Sequence, residues 1–367
     1  MRVCLVGSAS VDGVPRGGVE ESTWVLAHAL LEEGVEVSIV APAPGRPEKA
    51  NGTWGEVPAT WDGFRERLSL PTAFSSLRRA VFSALEHARP DIAQGQGILG
   101  YGNAVTDWNS TRSVIAAHGN PLMDHQYHYG RFGCLPRTAL LRRLASQSVL
   151  RARVVVNVTR SWTVNMPVEP QDLRYIPNPI ATAFFDNRPG KSTSMVVFLG
   201  GGSSIKGLDL LLDAWPKVAA RHPDARLHAY GLADEEVGGD RELPAGCELH
   251  GHVDANAVAR LMRDCAAVVV PSRYEVSPLV VAEAMASGVP VVATAVGGTP
   301  DLAAGCAILV EPKAGSVAAG LIRVLDDPAE AARMAAPSRL AAEAFKPKTV
   351  ARAYIAVYED VLAQACR

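Results

Sequence analysis

Apolar positions recur along this chain with two alternating periods. Val3 to Val6 is a short unbroken apolar run, and beyond a glycine-rich stretch Val19, Thr23, Leu26, Ala27 and Leu30 recur at helical spacing. Gly34 ends that helix, and Val35 to Val40 reads as the next strand. Strand, loop, helix, strand is a βαβ unit. Such units build parallel sheets whose loops gather at the carboxyl ends of the strands, where ligands bind. Further strands are expected at Asp91–Gln94, Val114–Ala117 and Val154–Val158, so the first sheet extends to about Val158.

Ile176-Pro177-Asn178-Pro179 is barred from helix, because each proline lacks a donor and biases its predecessor to extended geometry. The linker is expected to begin there. A second alternating set follows: strands at Met195–Leu199, Arg226–Tyr230, Ala267–Val270, Val289–Ala293 and Ala307–Val310, with helices near Leu208–Ala220, Ala255–Asp264 and Leu279–Ser287. This is a second doubly wound sheet rather than an extension of the first, and the active site is expected in a cleft between the two. Tyr354, Val357, Tyr358 and Leu362 form one face of a last amphipathic helix, Val350–Ala363, which has to pack on something. The division expected is 1–180, 181–348 and a terminal helix, 349–367, crossing back to the first domain.

Composition narrows the class. The 367 residues suffice for two cores, since single cores stop growing near about 250 to 300 residues. With 48% hydrophobic and 20% charged residues and no apolar run long enough to span a bilayer, a soluble protein is expected. No basic leader or secretory apolar region opens the chain, so the expected location is the cytoplasm. Six scattered cysteines without a CxxC pair read as reduced thiols, and a net charge of −2 argues against a general nucleic-acid binder.

The chemistry concentrates in Pro271-Ser272-Arg273-Tyr274-Glu275-Val276-Ser277-Pro278-Leu279-Val280-Val281-Ala282-Glu283, two carboxylates eight positions apart, one at a strand end and one inside a helix. A helix beginning near Pro278 aims its free N–H groups and positive dipole end at the preceding loop, a natural diphosphate site to which Leu279 and Val280 contribute amides beside Ser277. Pro278 fits the first helical turn, where its missing donor costs nothing. Glu283, about one turn in, is placed to reach a ribose diol.

This E-x7-E stretch, followed by Ala284-Met285-Ala286-Ser287-Gly288-Val289-Pro290, resembles the signature of retaining GT-B glycosyltransferases of family 4. The resemblance implies an α/β fold of two Rossmann-like domains facing each other across a cleft. It implies Glu275 on the donor-sugar hydroxyls and Glu283 on the ribose. Phe198-Leu199-Gly200-Gly201-Gly202-Ser203-Ser204-Ile205-Lys206-Gly207 is similar to the family's strand-loop-helix, in which the lysine neutralises the donor diphosphate; here that is Lys206. The family's usual arginine after the first glycine is replaced by Gly201. Two substitutes are open: an N–H nest from Gly201, Gly202, Ser203 and Ser204, or a cation from elsewhere such as Arg16.

Gly17 and Gly18 match the glycine pair that in the family opens onto the donor sugar, and His118, in Ala116-Ala117-His118-Gly119-Asn120-Pro121, stands where a family histidine contacts it. The glycine pair is equally explained by a tight turn. Asp124, His125, Tyr127, His128 and Tyr129 form an acceptor-binding loop or, less favoured, a zinc site. No Asp-x-Asp pair stands at a strand end, so no metal and no cofactor is expected beyond the nucleotide diphosphate sugar, with UDP preferred to GDP.

Between Arg131 and Arg160 there are seven arginines and no carboxylate, partly as a basic amphipathic helix. A solvated face whose arginines pair with carboxylates elsewhere is preferred; contact with an anionic inner membrane face and a lipid-linked acceptor is the other reading. The function expected is retaining transfer of a hexosyl or N-acetylhexosaminyl group to a small-molecule, lipid-linked or glycan hydroxyl. The alternatives are a non-catalytic nucleotide-sugar binder and a phosphorylase or epimerase of the same fold.

Overall fold

A computed structural model describes residues 1–7, 17–42, 54–57, 70–119, 135–160, 162–164, 166–186, 194–233, 242–303 and 305–365. They divide into two units, Met1–Pro179 with Pro347–Arg367, and Ile180–Lys346.

In the first unit β1 (Arg2–Val6) leads through α1 (Gly18–Glu32) to β2 (Glu36–Pro42), and β3 (Trp54–Val57), α2 (Leu70–Ala88), β4 (Ile92–Gln96), α3 (Tyr101–Trp108), β5 (Ser113–Ala117), α4 (Leu135–Arg151), β6 (Val154–Asn157) and β7 (Leu173–Tyr175) follow. Among the described residues the strands form one parallel sheet in the order β3-β2-β1-β4-β5-β6-β7. The order steps outward from β1 in both directions, as in Rossmann sheets, and the reversal lies between β1 and β4. Side chains alternate along each strand. Val3 and Leu5 therefore pack with Leu26 and Leu30 of α1, while Cys4 and Val6 pack with Leu77, Val81 and Leu85 of α2. Helices cover both faces, and the strands accordingly read as unbroken apolar runs.

The second unit repeats the plan with β8 (Met195–Leu199), α5 (Leu208–Arg221), β9 (Arg226–Tyr230), β10 (Cys247–Leu249), α6 (Ala255–Asp264), β11 (Ala267–Val270), α7 (Leu279–Ser287), β12 (Val291–Thr294), α8 (Thr299–Ala303), β13 (Ile308–Val310), α9 (Ala314–Asp326) and α10 (Pro328–Ala342). The described strands form a parallel sheet in the order β10-β9-β8-β11-β12-β13, the same outward pattern. Val196 and Phe198 face Leu211, Leu212 and Trp215 of α5, and Val197 faces Met262, Val281 and Met285.

The last helix, α11 (Pro347–Ala365), belongs to the first unit. Its buried stripe, Val350, Tyr354, Val357, Tyr358 and Val361, joins the core that holds α1 and one face of β1. The Ile176–Pro179 stretch is outside helix and strand but buried, with the Ile176 amide donating to Asn157 O at 3.1 Å. The four cysteines among the described residues, Cys4, Cys247, Cys265 and Cys306, are free thiols; burial pushes Cys4 up to about 11 and Cys265 up to about 12. No described helix is long and apolar enough to cross a membrane.

Candidate functional site

The carboxyl ends of β8 and β11 carry the two loops singled out above. After β8 the chain makes a tight turn over Ser204–Lys206, with the Lys206 amide on Ser203 O at 2.9 Å, and Gly207 then caps α5 at φ 74°. Only glycine fits there: a Cβ on Gly207 would lie 2.1 Å from Pro271 O. That close approach brings the two loops together. Arg273 fastens them, its amide donating to Ile205 O at 2.7 Å and its guanidinium gripping Asp209 through two bonds of 2.8 and 2.6 Å. The guanidinium also holds the Asp209 carboxyl below the usual carboxylate range.

Lys206 and Glu275 are placed by this clasp, with Lys206 Nζ 2.8 Å from Glu275 Oε1. The same oxygen accepts from Ser272 Oγ at 2.7 Å, so the carboxylate is fixed from two sides. Ser272 is in turn held by Thr294 of β12, whose hydroxyl donates to Ser272 O at 2.5 Å. Behind Glu275 the chain runs against Gly297, where a Cβ would lie 1.7 Å from Glu275 O, and the Gly298 amide donates to the same carbonyl at 3.0 Å.

The helix after this loop differs in one detail from expectation. Pro278 is the N-cap, at φ −67° and ψ 110°, and not the first helical residue. Leu279 and Val280 are therefore the opening residues of α7, where helix amides lack an intrahelical acceptor, while the Val281 amide already turns back to Pro278 O at 3.1 Å. Glu283 lies about one turn further on and is 9% exposed, and Ser277 is half-buried just before the cap. Lys206, Glu275, Ser277, Leu279, Val280 and Glu283 thus belong to one contiguous part of the second unit. Together they offer an ammonium, two carboxylates and a positive helix end.

The nest reading of the glycine loop is corrected in part. The Gly201 amide faces Tyr230 O at 3.4 Å and points back into the sheet, so Gly202, Ser203 and Ser204, all exposed, are the loop's outward residues. Gly201 has φ 68°, and a Cβ there would lie 2.9 Å from Gly231 O. Arg16 lies outside the described residues, as does the Asp124–Tyr129 loop.

In the first unit, Gly7 ends β1 against Gln96 at the end of β4; a Cβ on Gly7 would stand 2.4 Å from Gln96 Cβ. Gln96 Oε1 is 2.6 Å from His118 Nε2, just beyond β5. With that nitrogen protonated, His118 Nδ1 is an acceptor, and it has no hydrogen-bonding partner among the described residues; nor has Gln96 Nε2. Burial lowers the His118 pKa to about 4, opposed more weakly by the nearby Asn178 side chain. The ring is neutral at pH 7. Two buried polar atoms left unmet at the carboxyl ends of adjacent strands suit the hydroxyls of a ligand. Gly17 is the extended N-cap of α1, with open space where a Cβ would stand, and Gly18 is the first residue of that helix.

Several supporting residues were not anticipated from sequence: Arg273, Asp209, Gly297 and Gln96. Arg273 lies within the signature stretch, but its partner is 64 positions away, and no local pattern marks Gly297. Of the arginine-rich stretch, Arg151 pairs with Asp107, Arg160 stacks over the Tyr175 ring at 4.7 Å, and Arg142 and Arg143 are exposed.

Two family models match the chain, one described as Glycosyltransferase Family 4 over residues 16–184 and one as Glycosyl transferases group 1 over 193–327. The phosphatidyl-myo-inositol mannosyltransferase of Mycobacterium tuberculosis is 28% identical over 98% of this chain and 97% of its own. The MMP alpha-(1->4)-mannosyltransferase of Mycolicibacterium hassiacum is 28% identical over 62% of this chain and 60% of its own. Among solved structures, sucrose-phosphate synthase from Thermosynechococcus elongatus superposes with a TM-score of 0.76 at 20% identity, covering 99% of this chain and 100% of that one. Anabaena HepE in complex with UDP superposes with a TM-score of 0.73 at 16% identity, over 98% of this chain and 100% of that one. A parallel-sheet pair with this strand order and these two family matches places the chain in glycosyltransferase family 4, with the GT-B fold and the transfer of a sugar to an acceptor as its activity.

Proposed function

We propose that this enzyme moves a hexosyl group, with retention at the anomeric carbon, from a nucleoside diphosphate sugar bound by the second unit to a hydroxyl of a polyol, glycan or lipid-linked acceptor. The observation that carries the reading is the meeting of Lys206 and Glu275 at 2.8 Å beside the amino end of α7. As the bond from the anomeric carbon to the phosphate oxygen breaks, the diphosphate gains a negative charge. Lys206 and the Leu279 and Val280 amides take up that charge without a divalent metal, and one such donor is worth about 10²- to 10³-fold in rate. The acceptor hydroxyl attacks from the face the nucleotide leaves, and its proton passes to the departing phosphate oxygen.

Glu275 accepts hydrogen bonds from the donor-sugar hydroxyls, and Glu283 from the ribose diol. In the first unit, His118 Nδ1 and Gln96 Nε2 meet hydroxyls of the acceptor. A hexosyl donor is supported by the mannosyltransferase names of the relatives, and a uridine diphosphate by the nucleotide bound to HepE.

The test is calorimetric titration with UDP, GDP, ADP and dTDP, with and without EDTA, on the parent and on Glu283→Ala. One nucleotide is expected to bind independently of EDTA and about 10- to 100-fold more weakly to the variant, the loss of a hydrogen bond to a charged group. Equal binding by parent and variant removes Glu283 from the ribose, and binding of none of the four removes the donor site from this loop.

A further inference from the structure

At one edge of the second sheet is a side-chain group that the transfer reaction does not use. β9 and β10 run in parallel with Glu248 beside His228, and residues two apart on a strand share a face. His228 and Tyr230 on β9, with Glu248 on β10 and His250 just beyond it, therefore stand on the same side of the sheet. The Tyr230 and His250 rings lie nearly parallel, with centroids 4.4 Å apart, which holds the imidazole in position.

His228 Nδ1 is 3.0 Å from His250 Nε2. Glu248 Oε2 is 3.5 Å from the first nitrogen and 3.7 Å from the second. The point equidistant from these three atoms lies about 2.0 Å from each, the length of zinc bonds to imidazole nitrogen and carboxylate oxygen. The spacing of the three donor atoms suits such an ion once the two imidazoles, which face each other nitrogen to nitrogen with centroids 5.2 Å apart, turn toward it. Without it, the two nitrogens stand within hydrogen-bonding distance of each other.

We infer that His228, Glu248 and His250 form a binding site for a divalent transition cation of the zinc type, separate from the donor site. Two imidazoles and one carboxylate suit zinc, cobalt, nickel or copper, whereas magnesium and calcium take oxygen ligands. The Glu248 side chain is 57% exposed, which leaves the ion an entry path and a position open to water. The site cross-links β9 to β10, a three-residue strand at the sheet edge. It also braces the ground on which the glycine loop rests, because Tyr230 O receives the Gly200 and Gly201 amides and His250 O receives the Leu232 amide at 3.2 Å.

The site does not rest on the reading of donor or acceptor, and its test is direct. Tag-free protein of these 367 residues, stripped with a chelator, is titrated with Zn²⁺ and Co²⁺ while calorimetry, the visible Co²⁺ spectrum and the thermal midpoint are followed. The parent is expected to bind one ion per chain, to unfold at a higher temperature with Zn²⁺, and to ignore Mg²⁺. Glu248→Gln is expected to bind at least about tenfold more weakly, and His250→Gln not at all. Zn²⁺ binding of equal strength in the parent and Glu248→Gln, or no binding by the parent, overturns the inference. Glu248 is exposed, so its variant decides the matter even where His250→Gln does not fold.

Discussion

Removing Lys206 separates two tasks that one ammonium performs. In the substrate-free protein its Nζ balances Glu275, whose side chain is 10% exposed and whose other partner is the Ser272 hydroxyl at 2.7 Å. Lys206→Ala leaves that carboxylate with one neutral donor. The cost is about 1–3 kcal/mol, the penalty of an under-satisfied buried group. It stays below the figure for a fully buried ion pair because Lys206 is 38% exposed and water reaches the gap. At the size of one unit this lowers the thermal midpoint by roughly 2–12 °C. The second loss is of the diphosphate: nucleoside diphosphate binding falls by about 10- to 100-fold, the worth of a charged hydrogen bond.

Glu275→Gln tells the two apart. In the double variant the neutral amide needs no cation, so the midpoint returns toward the parent value while nucleoside diphosphate affinity stays low. In Glu275→Gln alone, Lys206 no longer divides its charge between carboxylate and phosphate, so nucleoside diphosphate affinity holds or rises while sugar transfer falls. Differential scanning fluorimetry and calorimetry with UDP and GDP read both quantities. Recovery of nucleotide affinity together with the midpoint in the double variant would refute the assignment, since Lys206 would then act only by neutralising Glu275.

Other variants probe the rest of the scaffold. Gly297→Ala drives a methyl into the Glu275 carbonyl at φ 53°, and is expected to cost at least about 2 kcal/mol in urea unfolding and most of the turnover. Gly201→Arg, which restores the family's usual residue, is expected to lower stability and not to raise activity, because φ 68° and the Gly231 carbonyl oppose any side chain; a gain in kcat would contradict this. Tyr358→Phe removes the 2.5 Å bond from the buried hydroxyl to Gln94 Oε1 and should cost about 1–3 kcal/mol in urea unfolding. His118 is held to about 4 when folded, against about 6.5 when unfolded, so the unfolded chain binds the extra proton between those values. Stability is full above about pH 6.5 and falls by roughly 3 kcal/mol on the way to pH 4, and His118→Gln should remove that part of the slope in urea titrations.

The sequence made the sheets legible wherever a strand is buried on both faces, because Val3–Val6, Val114–Ala117 and Ala267–Val270 are then unbroken apolar runs. It hid β7 and β10, three residues each, since Leu173-Arg174-Tyr175 and Cys247-Glu248-Leu249 are edge strands exposed on one side and carry no such run. The Ile176–Pro179 stretch is non-helical, as its prolines dictate, but prolines do not reveal that this segment is buried. Within the site, the residues that bear charge could be picked out by type and spacing, and those that hold them could not. Asp209 and Arg273 meet because Gly207 lets one loop approach the Pro271 carbonyl, a contact between segments 64 positions apart. Gln96 gains its meaning from Gly7 and His118, which only the pairing of β1, β4 and β5 brings together.

Gly201 shows how a departure from a family pattern changes meaning once the backbone is known. Taken as a letter, it is an arginine lost from the phosphate clamp. Taken as a conformation, it is a residue at φ 68° whose amide faces the Tyr230 carbonyl and whose Cα stands against Gly231. Left-handed geometry costs an L-residue about 1–2 kcal/mol, so this turn selects glycine before any ligand is considered. The loop therefore gains a close approach to the end of β9 and gives up a cation. With Arg273 committed to Asp209, the positive charges that the described donor loops offer a diphosphate are Lys206, which shares its charge with Glu275, and the amino end of α7. A site that concentrates its charge on one ammonium should lose more from Lys206→Ala than a relative with both cations, and the parallel measurement in such a relative is where that difference would be seen.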